Sequence, residues 1–217
     1  MVANTLSIDD RSKSASPSLA DRRDRLVRFT LTDVQAMVRA GIIPEDASTE
    51  LLNGLIVRKD RSARGEDPMT IGNDHRICVE RMSKLCKLID NPARHVESQQ
   101  PLVCSETHQP EPDFMVLRGT LSDYTDLPVA SDAYCVVEVA DASYELDRGA
   151  KLASYARAGI GQYVILNLRN RTAEVYTGPD SSAGTYRSAQ TIDPAGELSL
   201  RIGQEEFFGI SMRDVLP

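Results

Sequence analysis

The sequence predicts a mixed α/β (α+β) fold in which a β-sheet is flanked by helices. The 217-residue chain is long enough for a sizeable core, and its hydrophobic (41%) and charged (26%) fractions are typical of a globular protein. Two apolar segments, Tyr134–Ala140 and Tyr163–Leu168, have the composition of buried strands. Helical patterns precede and separate them, and this order favours a mixed sheet over a doubly wound one.

The predicted elements of the N-terminal half are marked by cap and turn residues. Thr30 is suited to cap a first helix that ends at Gly41. Residues Glu50–Val57 predict a hairpin that turns at Asn53-Gly54, since this dipeptide favours a two-residue turn between strands. A long helix is expected from about Asp74 to Asp90, where Asn91-Pro92 ends it.

The C-terminal part of the chain is predicted to be rich in strands. The expected elements are strands at 96–104, 114–117, 134–140, 163–168 and 173–177, a helix at 146–158, and short strands before a helical turn near Met212.

The composition of the chain shows a distinct N-terminal segment and an acidic net charge. Residues 1–25 are rich in Ser, Asp and Arg without hydrophobic periodicity, which predicts a disordered tail before a single domain at 26–217. No apolar run approaches the roughly 18 residues of a membrane helix and no signal sequence is visible, so we expect a cytoplasmic protein without membrane contact. The net charge of −7 argues against coating nucleic acid by bulk charge but leaves room for a local basic cleft.

The 4 cysteines lack a C-x-x-C pair and are expected to be reduced thiols. A zinc site made by His75, Cys78 and Cys86 is conceivable, because His75 and Cys78 would lie one helical turn apart. The spacing is more typical of core thiols beside a surface histidine, since closed zinc sites usually pair their ligands more tightly.

Two carboxylates on neighbouring predicted strands form the strongest candidate site. Glu138 lies inside the apolar segment YCVVEVA, where an ionised carboxylate is costly unless it is paired or binds a metal. Asp113 follows Pro112 at the entry of the strand that begins at Phe114. If these strands pair, the two carboxylates converge, and Mg²⁺ typically takes one or two protein carboxylates and leaves its other positions to water and phosphate.

Lys151 is the third candidate, because the helix that follows the Glu138 strand could direct its ammonium group at a metal site there. In that place it would orient or deprotonate the attacking water and offset phosphate charge. Asp147 lies one turn earlier and could pair with it at i,i+4. A lysine on a helix is otherwise an ordinary solvated charge.

Taken in order, these residues resemble the Uma-type (Uma-two) bacterial family, which is assigned to the nucleases with the PD-(D/E)XK restriction-endonuclease-like fold. The similarity spans roughly residues 28–215, and the strings that carry it are Glu50-Leu51-Leu52-Asn53-Gly54, Pro112-Asp113, Val137-Glu138-Val139, Asp147-Arg148-Gly149-Ala150-Lys151 and Tyr155-Ala156-Arg157-Ala158-Gly159. The family often has a histidine at the start of its long helix, and His75 lies there. The familiar nuclease lysine two residues after the acid is Ala140 here, whereas this family carries a lysine on the next helix, as Lys151 does.

The resemblance implies a mixed sheet, phosphodiester hydrolysis of nucleic acid, DNA above all, and a Mg²⁺ ion that Mn²⁺ could replace. It implies Asp113 and Glu138 as metal ligands, Glu50 as an additional acidic ligand and Lys151 as the lysine that acts on the water. A homodimer would match a fold that often pairs two active sites. The basic loop Arg58–Gly65 could contact a nucleic-acid backbone.

Two alternatives stay open at this point. The same fold could serve as a non-catalytic nucleic-acid-binding or regulatory module, or as a metal hydrolase of small phosphorylated substrates. The sequence excludes a dinucleotide-binding loop, a phosphate-binding loop and a serine-hydrolase elbow, because none of their glycine patterns is present.

Overall fold

A six-stranded mixed β-sheet is the centre of the computed structural model, which describes residues 26–58 and 72–217. The strands are β1 (Thr49–Leu52), β2 (Leu55–Arg58), β3 (Arg94–Glu97), β4 (Phe114–Arg118), β5 (Ala133–Ala140), β6 (Gln162–Asn167), β7 (Thr172–Asp180), β8 (Thr185–Ile192), β9 (Glu197–Arg201) and β10 (Phe207–Ser211). The helices are α1 (Leu31–Arg39), α2 (Asn73–Cys86), α3 (Tyr144–Leu146), α4 (Leu152–Arg157) and α5 (Met212–Val215), with a π-helical turn at Asp147–Lys151 between α3 and α4.

The strand order in the large sheet is β3-β4-β5-β6-β7-β8. Only β5 and β6 pair in parallel within it, and the other neighbours are antiparallel. A helix-containing crossover is needed between parallel neighbours, and the α3–α4 segment provides it. The predicted mixed sheet flanked by helices is therefore confirmed, whereas the tail predicted at residues 1–25 lies outside the described residues.

Two hydrophobic clusters lie on opposite faces of this sheet. On one face Val137 and Val139 of β5 pack with Cys78 and Met82 of α2. On the other face Val136 of β5 packs in a cluster that contains several tyrosines of α4, β6 and β7. Because side chains of a strand alternate between faces, Glu138 projects on the same face as Val136, toward α4. None of the helices in the described ranges is long and apolar enough to cross a bilayer.

The β1–β2 hairpin confirms the predicted turn. Asn53 and Gly54 both have positive φ angles, 52° and 71°, as a two-residue type I′ turn requires. The backbone of Leu51 exchanges two hydrogen bonds with Gln109, at 3.2 and 2.7 Å. The hairpin is thereby attached to the segment that leads into β4, and this attachment places Glu50 next to the large sheet.

Two boundaries and one helical turn differ most from the sequence-based expectations. The long helix α2 ends at Cys86 rather than near Asp90, because the chain continues in tight turns that bury Ile89. The strand expected over 96–104 was wrong beyond Glu97, since Gln99 takes a positive φ of 54° and its N–H bonds to the carbonyl of Pro112 instead of continuing the ladder. The third difference is the π turn at Asp147–Lys151, which interrupts the helix expected at 146–158 and carries the candidate residue Lys151.

Candidate functional site

Glu138 is the residue around which the candidate site is built. It lies in the central strand β5 and is only 3% exposed. Its Oε1 accepts a hydrogen bond from Lys151 Nζ at 3.0 Å and another from the Tyr155 hydroxyl at 2.8 Å. The mid-strand carboxylate is therefore paired, as burial of such a group requires.

Lys151 is buried at the end of the π turn, with only 4% exposure, and is not the solvated helix charge that a lone lysine would suggest. Its ammonium lies 2.9 Å from Glu50 Oε1, 3.0 Å from Glu138 Oε1 and 3.7 Å from Asp147 Oδ1. The i,i+4 pairing expected with Asp147 is thus present. The cluster brings together one cation and three carboxylates from β1, β5 and the π turn.

The π turn explains how a lysine on the crossover reaches the sheet. A π turn adds a residue to the helical repeat, and such turns are rare overall but frequent at functional sites. Here the Tyr163 hydroxyl of β6 donates to the carbonyl of Asp147 at 3.0 Å, and the Ser143 hydroxyl donates to the Asp147 carboxylate at 2.6 Å. These contacts hold the turn against the sheet, with Lys151 facing the carboxylates.

Asp113 lies directly before β4, opposite Glu138 in the antiparallel register that pairs Phe114 with Val137. Strand alternation places both carboxylates on the same face. The Asp113 Oδ2 atom accepts the backbone N–H of Val139 at 2.8 Å and lies 3.5 Å from His75 Nε2. The strand pairing on which the sequence argument depended is present, and it brings Asp113 to the edge of the cluster.

The electrostatics of the cluster are set by burial and by the carboxylates around one ammonium. Burial alone would lower the pKa of Lys151, but Glu138 and Glu50 hold this pKa well above its ordinary value. Burial raises the pKa of Glu138, and Lys151 opposes this only in part because Asp147 and Asp113 add negative charge nearby. Lys151 is therefore the stable cation of the site, and Glu138 the carboxylate that most readily takes up a proton.

Asp113 shows the opposite behaviour. Burial would raise its pKa, but the hydrogen bond and charge of His75 and the N–H of Val139 together hold the pKa below its ordinary value. The group is therefore ionised at neutral pH. The cluster contains one carboxylate that is firmly ionised and another whose ionisation depends on its surroundings.

The donor chemistry fits a hydrated Mg²⁺ ion better than a closed metal site. The carboxylate oxygens of Asp113, directly before β4, and of Glu138, on β5, are hard donors, and Mg²⁺ needs only one or two protein carboxylates. Within residues 26–58 and 72–217, no group of three or more His, Cys, Asp or Glu side chains is arranged around one metal position. The Oε1 atom of Glu50 meets Lys151 and the backbone N–H of Glu111, at 2.7 Å for the latter, so its carboxylate is firmly oriented beside the pair.

The structure brings all four sequence-predicted residues into one region, in which Glu50, Glu138 and Lys151 are in direct contact. The sequence marked Tyr155 as a motif residue, and His75 as a motif residue and a conceivable zinc ligand. Their contacts with Glu138 and Asp113 were not predicted. The available signal was spacing, because Tyr155 follows Lys151 by four residues and so lies on the same helical face.

The other candidates from the sequence were the cysteines and the basic loop Arg58–Gly65. Cys78 and Cys86 are buried in the core, and burial raises the pKa of both thiols to about 12, in keeping with the core-thiol interpretation. Arg58 is exposed at the end of β2, whereas the remaining basic residues of the loop that follows it lie outside the described residues.

Comparison with known proteins is consistent with this architecture. A family model described as "Uma2: Putative restriction endonuclease" matches residues 43–212. A crystal structure from Anabaena variabilis, described as a putative nuclease belonging to DUF820, aligns with a TM-score of 0.60 and 14% identity over 86% of this chain and 97% of its own. That likeness concerns the fold. A search of the curated proteins found no match. Since the family model covers most of the sequence and the motif residues lie within it, the chain belongs to the Uma2 family.

Proposed function

We propose that this protein is a metal-dependent endonuclease that hydrolyses phosphodiester bonds of nucleic acid, with DNA as its substrate. The observation that carries the proposal is the convergence of Asp113, Glu138, Lys151 and Glu50 from four separate segments of the chain. The family model that matches the chain is described as "Putative restriction endonuclease". Asp113 and Glu138 would hold a Mg²⁺ ion, with Mn²⁺ as a substitute, and Glu50 would complete the acidic shell.

When bound, the ion would polarise the phosphoryl oxygen and lower the pKa of a coordinated water. The protein's own residues supply the rest. Because Glu138 and Glu50 keep Lys151 protonated, its role is that of a cation that orients the water and offsets phosphate charge, and not that of a base. Asp113 is ionised at neutral pH and provides a permanent negative ligand.

The proposal is tested by cleavage of supercoiled plasmid and of single-stranded DNA with Mg²⁺, Mn²⁺ or EDTA. Wild type should cut with either metal and not in EDTA, and Asp113→Asn and Glu138→Gln should each lose the activity. Glu80→Gln is a matched control, since this carboxylate of α2 is exposed and pairs with Lys84 at the surface, away from the cluster. Retention of cutting by both site variants would refute the assignment.

A second candidate is a non-catalytic nucleic-acid-binding or regulatory module on the same fold. The observation that favours it is the burial of the cluster, since Glu50, Glu138 and Lys151 are each at most 4% exposed and both carboxylates already pair with the lysine. Calorimetric titration with Mn²⁺ separates the candidates. A purely binding module would retain nucleic-acid affinity without taking up metal, whereas the endonuclease requires metal uptake that Asp113→Asn abolishes.

We also propose that two copies associate, so that each copy can act on one strand of a duplex. Light scattering of the purified protein, alone and with a short DNA duplex, measures this directly. A mass of one chain under both conditions would contradict the dimer without affecting the site assignment.

A further inference from the structure

The two strand carboxylates are each held by protein donors through a single oxygen. Glu138 Oε1 accepts both the Lys151 ammonium and the Tyr155 hydroxyl. Asp113 Oδ2 accepts the N–H of Val139 and faces His75. In the described part of the chain, the other two oxygens, Glu138 Oε2 and Asp113 Oδ1, accept no hydrogen bond.

In each carboxylate, donors among the described residues hold one oxygen and not the other, and the planar geometry of the group links the two. Its two oxygens share one plane, so donors that fix one oxygen also fix the direction of the other. A metal ligand gains from such support, because ordering the ligand beforehand leaves less to be lost when the metal binds. Both carboxylates show the same arrangement, one through a side-chain hydroxyl and the other through a backbone N–H.

Tyr155 is the more rigid of the two donors to Glu138. Its side chain is fully buried, with 0% exposure, and its ring lies 4.8 Å from that of Tyr163. Lys151 has a long flexible side chain and divides its ammonium among three carboxylates. Among the described residues, Glu138 is the one acceptor of the hydrogen bond that the Tyr155 hydroxyl donates.

We infer that Tyr155 is a positioning residue, whose hydroxyl fixes Oε1 of Glu138 so that Oε2 is kept available as a ligand for the divalent cation. The inference rests on the proposed function, because it assigns Glu138 as a metal ligand. It adds a residue that does not touch the metal, and it specifies which carboxylate oxygen the protein withholds from the ion. Loss of such outer partners typically weakens metal binding by about 10- to 100-fold.

The test compares Tyr155→Phe with Tyr176→Phe in the full chain. Tyr176 is a matched control, because it belongs to the same group of stacked tyrosines and its hydroxyl donates to Glu174, outside the site. Mn²⁺ binding is measured by calorimetry. We expect Tyr155→Phe to raise the Kd for Mn²⁺ by about 10-fold or more, and Tyr176→Phe to leave it within about 2-fold.

A second readout is the Mn²⁺ concentration that gives half-maximal DNA cleavage. This concentration should rise in Tyr155→Phe, whereas the rate at saturating Mn²⁺ should fall much less, which a general structural defect would not produce. The substitution removes one oxygen atom and keeps the ring, and circular dichroism with urea unfolding verifies that the variant is folded.

The possible results separate this inference from the proposed function. A folded Tyr155→Phe that binds Mn²⁺ as tightly as wild type overturns the role of Tyr155 and leaves the metal site standing. Wild-type protein that binds no Mn²⁺ and cuts no DNA overturns the proposed metal site, and the positioning role with it. Equal weakening in Tyr155→Phe and Tyr176→Phe also overturns the inference, because the effect would then come from the tyrosine packing.

Discussion

Replacement of Lys151 by Met should destabilise the fold strongly. The ammonium lies within 3.0 Å of carboxylate oxygens of Glu50 and Glu138, and all three side chains are at most 5% exposed. At an effective dielectric constant of about 20, one such contact contributes roughly 5 to 6 kcal/mol before desolvation is subtracted. Experience with broken buried ion pairs indicates a net loss of about 3–5 kcal/mol in the free energy of unfolding. Methionine fills nearly the same space, so the loss is electrostatic.

The decrease in the free energy of unfolding caused by Lys151→Met should also depend on pH. The pKa of Glu138 determines whether it grows or shrinks as the pH rises. Burial raises this pKa above its value in the unfolded chain, so the folded state holds a proton that the unfolded state has released. Because of this extra proton, the free energy of unfolding falls as the pH rises toward the folded-state pKa of Glu138. The fall is at most about 1.4 kcal/mol per pH unit for each proton. Lys151 lowers the pKa of Glu138. Its removal therefore raises this pKa further and extends the decline in stability to higher pH. Because the pKa of Glu138 in wild type is about 8, the two proteins diverge mainly above that pH, and the penalty of Lys151→Met should be larger near pH 9 than near pH 7.

Urea unfolding of wild type, Lys151→Met and Lys151→Met/Glu138→Gln at both pH values measures these effects. The double variant should recover part of the stability, because the carboxylate left without its ammonium is neutralised. Lys84→Met is the control, since this lysine pairs with Glu80 on the exposed side of α2 and should change stability by less than about 1 kcal/mol. A Lys151→Met variant as stable as wild type near pH 9, or a penalty that is the same near pH 7 and near pH 9, would refute the reasoning.

Three further predictions concern other features. Burial raises the pKa of Cys78 and Cys86 to about 12, so a thiol reagent at neutral pH should modify them only at the rate of unfolding; rapid labelling of the native protein would contradict this. Gly54→Ala should cost more than about 1 kcal/mol in urea unfolding, because φ is +71° and the added Cβ would lie 2.6 Å from Arg28 Cβ; an unchanged midpoint would exclude this strain. Mn²⁺ affinity should increase with pH, because the raised pKa of Glu138 lets a proton compete with the ion; calorimetry at several pH values measures this, and a flat profile would count against Glu138 as a ligand.

Local rules explain the elements that were predicted correctly. The I′ turn at Asn53-Gly54, the capping box of α1 at Thr30 and the apolar runs of β5 and β6 each depend on interactions within a few residues. Such interactions leave a readable pattern in the sequence. The strand predicted beyond Glu97 failed for the converse reason, since its residues favour extension but their backbone groups find partners in distant segments such as Pro112.

The amino-acid sequence by itself determined the mixed fold, the hairpin and the identity of the acidic and basic residues in the site. Only the tertiary structure decided how these residues meet. The antiparallel pairing of β4 with β5 sets Asp113 opposite Glu138, and the π turn between α3 and α4 directs Lys151 into their neighbourhood. The hydroxyl of Tyr155 completes the contacts to Glu138. Long-range pairing and burial set these distances and pKa shifts, and neither is encoded in the spacing of residues along the chain.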